Sequence, residues 1–282
     1  MTLSDKESRN RLTGRLGAAC LVLGIATWMS APRTAAQAPP SVETQPVEYT
    51  SSTATIEAYI ARPSGASQSP GVIVLHDDLG LNDRFRNLAQ QFAEAGFVAM
   101  APHLPYRSNT PASEPRDGRP QRAAVADLSS VQAAGDLRAA FTYLQQDPGV
   151  DAARISAVGV GWGEYRVWQL AQSTPTLYRA VVFYGVTPTN DDRLRTIQVP
   201  VLGHYAELDY LITARVLRTA QLLGDEFTYH VYPTVPGFFG GGTGQIQPPT
   251  GGSVVSLPTG PHQDSAAAAA ELAWTRTLEF LQ

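Results

Sequence analysis

Residues 154–171 read RISAVGVGWGEYRVWQLA: a strand, a glycine-rich corner and a helix. In one large enzyme superfamily that corner carries a nucleophile, at the middle of G-x-S-x-G or G-x-C-x-G. Here the frame Gly159, Gly161, Gly163 is intact and its centre, Gly161, has no side chain. No other G-x-S-x-G occurs, Ser156 lies inside the strand, and the only cysteine is Cys20 near the N-terminus. Five histidines are available as bases: His76, His103, His204, His230 and His262. His76 and His204 stand at strand ends and His230 within a strand, where hydrogen-bonded structural roles are expected. His103, in APHLPYR, and His262, in a long loop, are the two candidates for chemistry. Asp77, Asp78, Glu164 and Asp209 follow strands or open helices. Glu164 reads either as an acid interacting with a helix dipole or as part of an acidic pocket that disfavours carboxylate ligands. No metal-type spacing joins His76, Asp77, His204 and Asp209, and no metal or cofactor is expected. The GGGTGQ stretch at 240–245 lacks the lysine of a phosphate loop.

The elements that would position these residues alternate. VEYTSSTATIEAYIARP predicts an antiparallel hairpin turning at Ser51–Thr53. GVIVLHDD, FVAMAP, RISAVGV, RAVVFYG and VPVLGHY are short apolar runs of the kind buried parallel strands show. Helical spacing follows in NDRFRNLAQQFAEAG, in AVADLSSVQAAGDLRAAFTYLQQD, in the quoted helix and in LITARVLRTAQLLG. EFTYHVYP is the last strand and SAAAAAELAWTRTLEFLQ the closing helix. Residues 104–122 and 236–264 read as loops. The alternation predicts an α/β fold, a mostly parallel sheet with helices on both faces. Sites in such sheets lie beyond the carboxyl ends of the strands. Trp162, Tyr165 and Trp168 stand near that end, although aromatic residues on a helix are more often core.

The N-terminus has its own pattern. Lys6, Arg9, Arg11 and Arg15 precede an apolar run from Leu16 to Met29 and the small residues TAAQA. Residues 1–38 are expected to be an export signal cleaved near Ala36 or Ala38, with an uncut N-terminal anchor as the alternative. Residues 39–46 read as a linker and 47–282 as one domain. Removing the signal takes away Cys20, the only lysine, and five of 21 basic residues against two of 25 acids, leaving a net charge of −7. That balance argues against a nucleic-acid partner, and no later stretch is apolar enough to span a membrane. A periplasmic or secreted protein is expected; its oligomeric state is open.

Several stretches resemble the dienelactone hydrolase family of α/β-hydrolases. GVIVLHDDLGLNDRFRNLAQQFAEAGFVAMAPHL, VPVLGHYAELD, the Tyr232-Pro233 pair and AAAAELAWTRTLEF occur in the family's order, over roughly residues 55–282. The resemblance implies an α/β-hydrolase fold and hydrolysis of esters or lactones by a Cys or Ser nucleophile, an Asp and a His. Asp209 matches the family aspartate. Gly161 stands at the nucleophile position and Gly237 at the histidine position. Asp77 takes the place of a glutamate that holds the nucleophile's proton. Arg107 falls where the family binds a substrate carboxylate. The Trp162 N–H matches one oxyanion donor, and Asp78 occupies the other donor's position. His103 replaces an aspartate.

With two of three triad positions glycine, the expectation is weak or absent hydrolysis and a surviving pocket for a small-molecule ligand. One alternative is a working hydrolase that uses His103 or His262 with Asp209. Another is an interaction protein whose contact is loop 236–264.

Overall fold

Tyr49 and Ser51 point inward from Val42–Ser51 (β1) while their neighbours stay exposed, and Ala54–Pro63 (β2) pairs antiparallel with β1 from Ser51↔Ala54 to Val42↔Pro63. The chain turns where polar residues interrupt the alternation, as the hairpin reading expects. The expected linker, however, is already strand from Val42, because its backbone is paired with β2. The structure, a computed structural model, describes residues 41–52, 54–105, 119–239, 245–246, 255–256 and 261–282.

Ser69–Leu75 (β3), Val98–Pro102 (β4), Val150–Val160 (β5), Ala180–Phe183 (β6), Val201–Ala206 (β7) and Phe227–Tyr232 (β8) complete an eight-stranded sheet of order β1-β2-β4-β3-β5-β6-β7-β8. All pairings from β4 to β8 are parallel, and β2 joins β4 antiparallel. Helices fill the connections: Asp83–Glu94 (α1), Arg119–Asp127 (α2), Ser130–Gln146 (α3), Trp162–Ser173 (α4), Asp191–Leu194 (α5), Tyr210–Leu223 (α6) and Pro261–Leu281 (α7). Side chains alternate along each strand, so a sheet covered on both faces has two cores. Ile73 and Leu75 of β3 pack with Leu137, Phe141 and Trp168. Val72 and Val74 of the same strand pack on the other face with Phe85, Phe92 and Trp274.

Two expectations are corrected. The single helix expected over residues 124–147 is two, because Ser129 caps α3: its hydroxyl accepts from the Gln132 N–H, and the Gln132 side chain bonds back to Ser129. The expected loop 236–264 contains Gln245–Ile246 (β9) paired with Val255–Ser256 (β10), and α7 begins at Pro261. His262 therefore lies in the first turn of a helix. Proline suits that place, since its missing N–H would have no partner there.

Candidate functional site

At the carboxyl end of β5 the chain turns into α4 through Gly161, at φ 57° and ψ −114°. L-residues rarely adopt this backbone. The flanking glycines are needed for a different reason. A Cβ on Gly159 would lie 2.5 Å from the Gly163 carbonyl oxygen, and one on Gly163 would lie 2.5 Å from the carbonyl oxygens of Leu75 and His76. These two let α4 sit hard against β3 and β5. Among the described residues a Cβ on Gly161 would meet only the Asp77 Cβ, at 3.6 Å. The corner thus keeps both the turn and the room for a side chain, without the side chain. Gly161 offers no cap to α4, and the Trp162 N–H at the helix start is one of the donors a helix leaves unpaired.

Across from Gly161, Asp77 is fully engaged. Its Oδ1 accepts from the Leu79 N–H at 2.9 Å and its Oδ2 from Arg84 Nη1 at 3.0 Å. Burial raises the Asp77 carboxyl above the usual range, and the Arg84 guanidinium opposes that rise. Arg84 Nη2 donates to the Phe239 carbonyl at 2.7 Å and to the Tyr184 hydroxyl at 3.2 Å. The Tyr184 hydroxyl donates to the same carbonyl at 2.7 Å, and burial pushes its proton loss up to about 12. Arg84 therefore ties the start of α1 to the ends of β3 and β6 and to the turn after β8. Tyr184 takes a left-handed backbone, φ 38°, unusual for a residue with a side chain. Asp78 pairs with Arg122 of α2 at 2.9 Å, partly in solvent. The acidic pocket is thus corrected: two of its acids carry a guanidinium partner.

Glu164 is corrected too. It is fully buried, and its Oε1 accepts from Trp168 Nε1 at 2.7 Å. Its Oε2 has no hydrogen-bond partner among the described residues and rests against Gly185, where any Cβ would overlap it. Burial pushes this carboxyl up to about 8, so it holds its proton at neutral pH. Trp168 is core, Tyr165 is partly exposed, and Trp162 is stacked between His76 (ring centroids 5.5 Å apart) and the Arg166 guanidinium at 4.3 Å.

Asp209 caps α6, with Oδ1 3.4 Å from the Ile212 N–H; burial raises its carboxyl above the usual range. Gly237 lies in a tight turn at φ 79°, another backbone that favours glycine. The next two residues are buried: Phe239 stacks on Phe183 at 4.0 Å, and Phe238 lies beside Tyr184 and Tyr232.

The histidines divide. His204 bonds Tyr232 and Thr277 through its two ring nitrogens and is pushed down to about 3 by burial. His76 Nδ1 bonds the Asp77 carbonyl; its buried Nε2 has no partner among the described residues, and burial pushes it down to about 3. His230 is half-buried, and burial lowers it as well. His103 is fully buried, with Nδ1 accepting from the Leu81 N–H at 3.2 Å. That bond commits to the loop before α1 the nitrogen a base would need. Arg107 lies outside the described residues, as does the side chain of His262. Among the described residues no three metal-ligating side chains converge. Arg84 and Tyr184 were not singled out from sequence; nothing in their spacing reveals that four segments meet on one guanidinium.

The model of the dienelactone hydrolase family matches residues 56–282. The chain belongs to that family. Among curated relatives, two described as "Putative carboxymethylenebutenolidase" are similar. The Methylorubrum extorquens protein is 25% identical over 63% of this chain and 66% of its own. The Synechocystis sp. protein is 31% identical over 46% of this chain and 54% of its own. The chain thus spans between about half and two thirds of these relatives' length. A dienelactone hydrolase-like promiscuous phosphotriesterase from metagenomic libraries superimposes with a TM-score of 0.66 at 20% identity, covering 86% of this chain and 98% of that one, which establishes the α/β-hydrolase fold.

Proposed function

We propose that this dienelactone hydrolase family member is an exported protein that has lost ester and lactone hydrolysis and keeps its pocket for a small-molecule ligand. The observation that carries this is Gly161: a corner with room for a nucleophile and none present. Without a nucleophile no acyl-enzyme forms. Without an imidazole at Gly237 no base activates a substitute. Asp77 is ion-paired with Arg84, and His103 spends a ring nitrogen on Leu81, so neither is poised to activate a water. The roughly 10³–10⁴ over water that a stripped triad can retain depends on intact oxyanion donors, and here Asp78 occupies one donor position, so that remnant of catalysis is not expected.

Export rests on the N-terminal pattern alone: a basic start, a run too short to span a bilayer, and small residues before Gln37. Cleavage near Ala36 or Ala38 would leave β1 intact, since its first paired residue is Val42.

The test is a panel of short acyl esters and lactones read two ways on the purified protein, by product release and by melting temperature. The expected result is a rise in melting temperature with at least one compound and no turnover. Turnover well above the uncatalysed rate would overturn the loss of hydrolysis. A panel that shifts nothing would overturn ligand binding.

A further inference from the structure

An opening lies between α1 and α7, with Arg84 in its wall. It is a cleft of about 530 Å³, within the size range of small-molecule sites. Its aromatic walls are rigid: Phe239 is stacked on Phe183 at 4.0 Å, and Trp274 is held edge-on against Phe92 at 4.7 Å. Its polar groups come in helical pairs that share a face. Asn87 and Gln91 are four residues apart on α1, and Glu271 stands three residues before Trp274 on α7.

Charge decides what such a cleft takes. Among the lining residues Arg84 is the one cation and Glu271 the one acid. Arg84 is already ion-paired with Asp77 and donates to Tyr184 and Phe239. No cation lies within ion-pair distance of Glu271 among the described residues. The cleft therefore presents one uncompensated negative charge beside a fixed indole face. We propose that it binds a small organic ammonium ion with an apolar body, the nitrogen over Trp274 beside Glu271 and the body against Phe239 and Leu88. An indole ring attracts a cation through its quadrupole, and the exposed Glu271 carboxylate adds a charge of the opposite sign beside it. The amide oxygens of Asn87 and Gln91 add acceptors, and an anion would meet Glu271 without a spare counter-charge. This site is separate from the corner and does not depend on whether hydrolysis is lost.

The experiment titrates the whole protein with benzyltrimethylammonium by calorimetry, with tryptophan fluorescence alongside and with benzyl alcohol and benzoate as the neutral and anionic comparisons. The cation should bind saturably and about tenfold or more tighter than benzyl alcohol; benzoate should bind no better than the alcohol. Glu271→Gln, on an exposed position, should weaken the cation about tenfold, and Ala270→Trp, which fills the cleft, should abolish binding. Melting temperature checks that each variant folds, and Glu271→Gln carries the test if Ala270→Trp does not. Absence of saturable binding, equal affinity for benzyl alcohol, or affinity unchanged by Glu271→Gln would each overturn the proposal. None of these outcomes bears on the esterase panel, so the two readings fail separately.

Discussion

Gly159, Gly161 and Gly163 look alike in the sequence and carry different constraints. A methyl group on either flanking glycine meets backbone atoms that cannot move, whereas on Gly161 it makes an ordinary contact with the Asp77 Cβ among the described residues and takes an unfavourable φ. Gly161→Ala should therefore cost about 1–3 kcal/mol, the strain of that backbone alone. Gly159→Ala and Gly163→Ala should cost more, as a lower urea midpoint or a failure to fold. The same room makes a rescue possible. Gly161→Cys alone should give little esterase activity, because its thiol would face Asp77 and a carboxylate disfavours thiolate. Adding Gly237→His supplies an imidazole near Asp209, so the double variant should exceed the sum of the singles, as residues acting as a unit do. If the double variant folds and gains nothing, Gly161 and Gly237 are not at the vacated positions. Arg84 makes a third residue-scale prediction. Arg84→Met leaves the Asp77 carboxyl buried without its partner, which should cost about 1–3 kcal/mol at neutral pH. The loss should shrink in acid, where Asp77 takes up a proton.

At the scale of one element, the first turn of α4 carries a buried acid that sets a pH dependence. Folded, Glu164 keeps its proton to about pH 8; unfolded, it releases it near 4.5. The unfolded chain then binds fewer protons across that window, so this group makes stability fall as pH rises from 4.5 towards 8, with its contribution fully present below 4.5. His76 and His204 act in the opposite sense. Each stays neutral in the fold down to about pH 3 against an ordinary 6.5, so stability falls as pH drops below 6.5. Glu164→Gln keeps an acceptor for Trp168 and removes the titration. Between pH 6.5 and 8, above the window in which the two histidines act, denaturant midpoints against pH should be flatter for that variant than for the native chain, and parallel curves there would overturn this assignment. Most elements were legible in the sequence because apolar runs and helical spacing report burial directly. The α2–α3 break was hidden because it depends on a side-chain cap at Ser129, not on periodicity. The start of α7 was hidden because proline and histidine also suit loops. Glu164 was ambiguous because sequence alone does not say whether a first-turn acid faces water or the sheet.

For the whole molecule, the succession of strands and helices along the chain and the family were legible from the sequence, the family from separate motifs in the right order. The Arg84 network was not, because it joins residues up to 155 positions apart. Export is a whole-chain prediction: N-terminal sequencing of the secreted form should begin between Gln37 and Ser41, and Met1 on a membrane-bound product would overturn it. The proposal for the molecule as a whole is that the fold has outlived its hydrolytic chemistry. Its most direct test is the rate of p-nitrophenyl acetate hydrolysis by the native chain beside Asp209→Ala, both corrected for the uncatalysed reaction. Equal rates are expected, since without a nucleophile or imidazole Asp209 has nothing to orient. A clear fall in the Asp209→Ala variant, with folding intact, would contradict it and show that a base still works in this pocket.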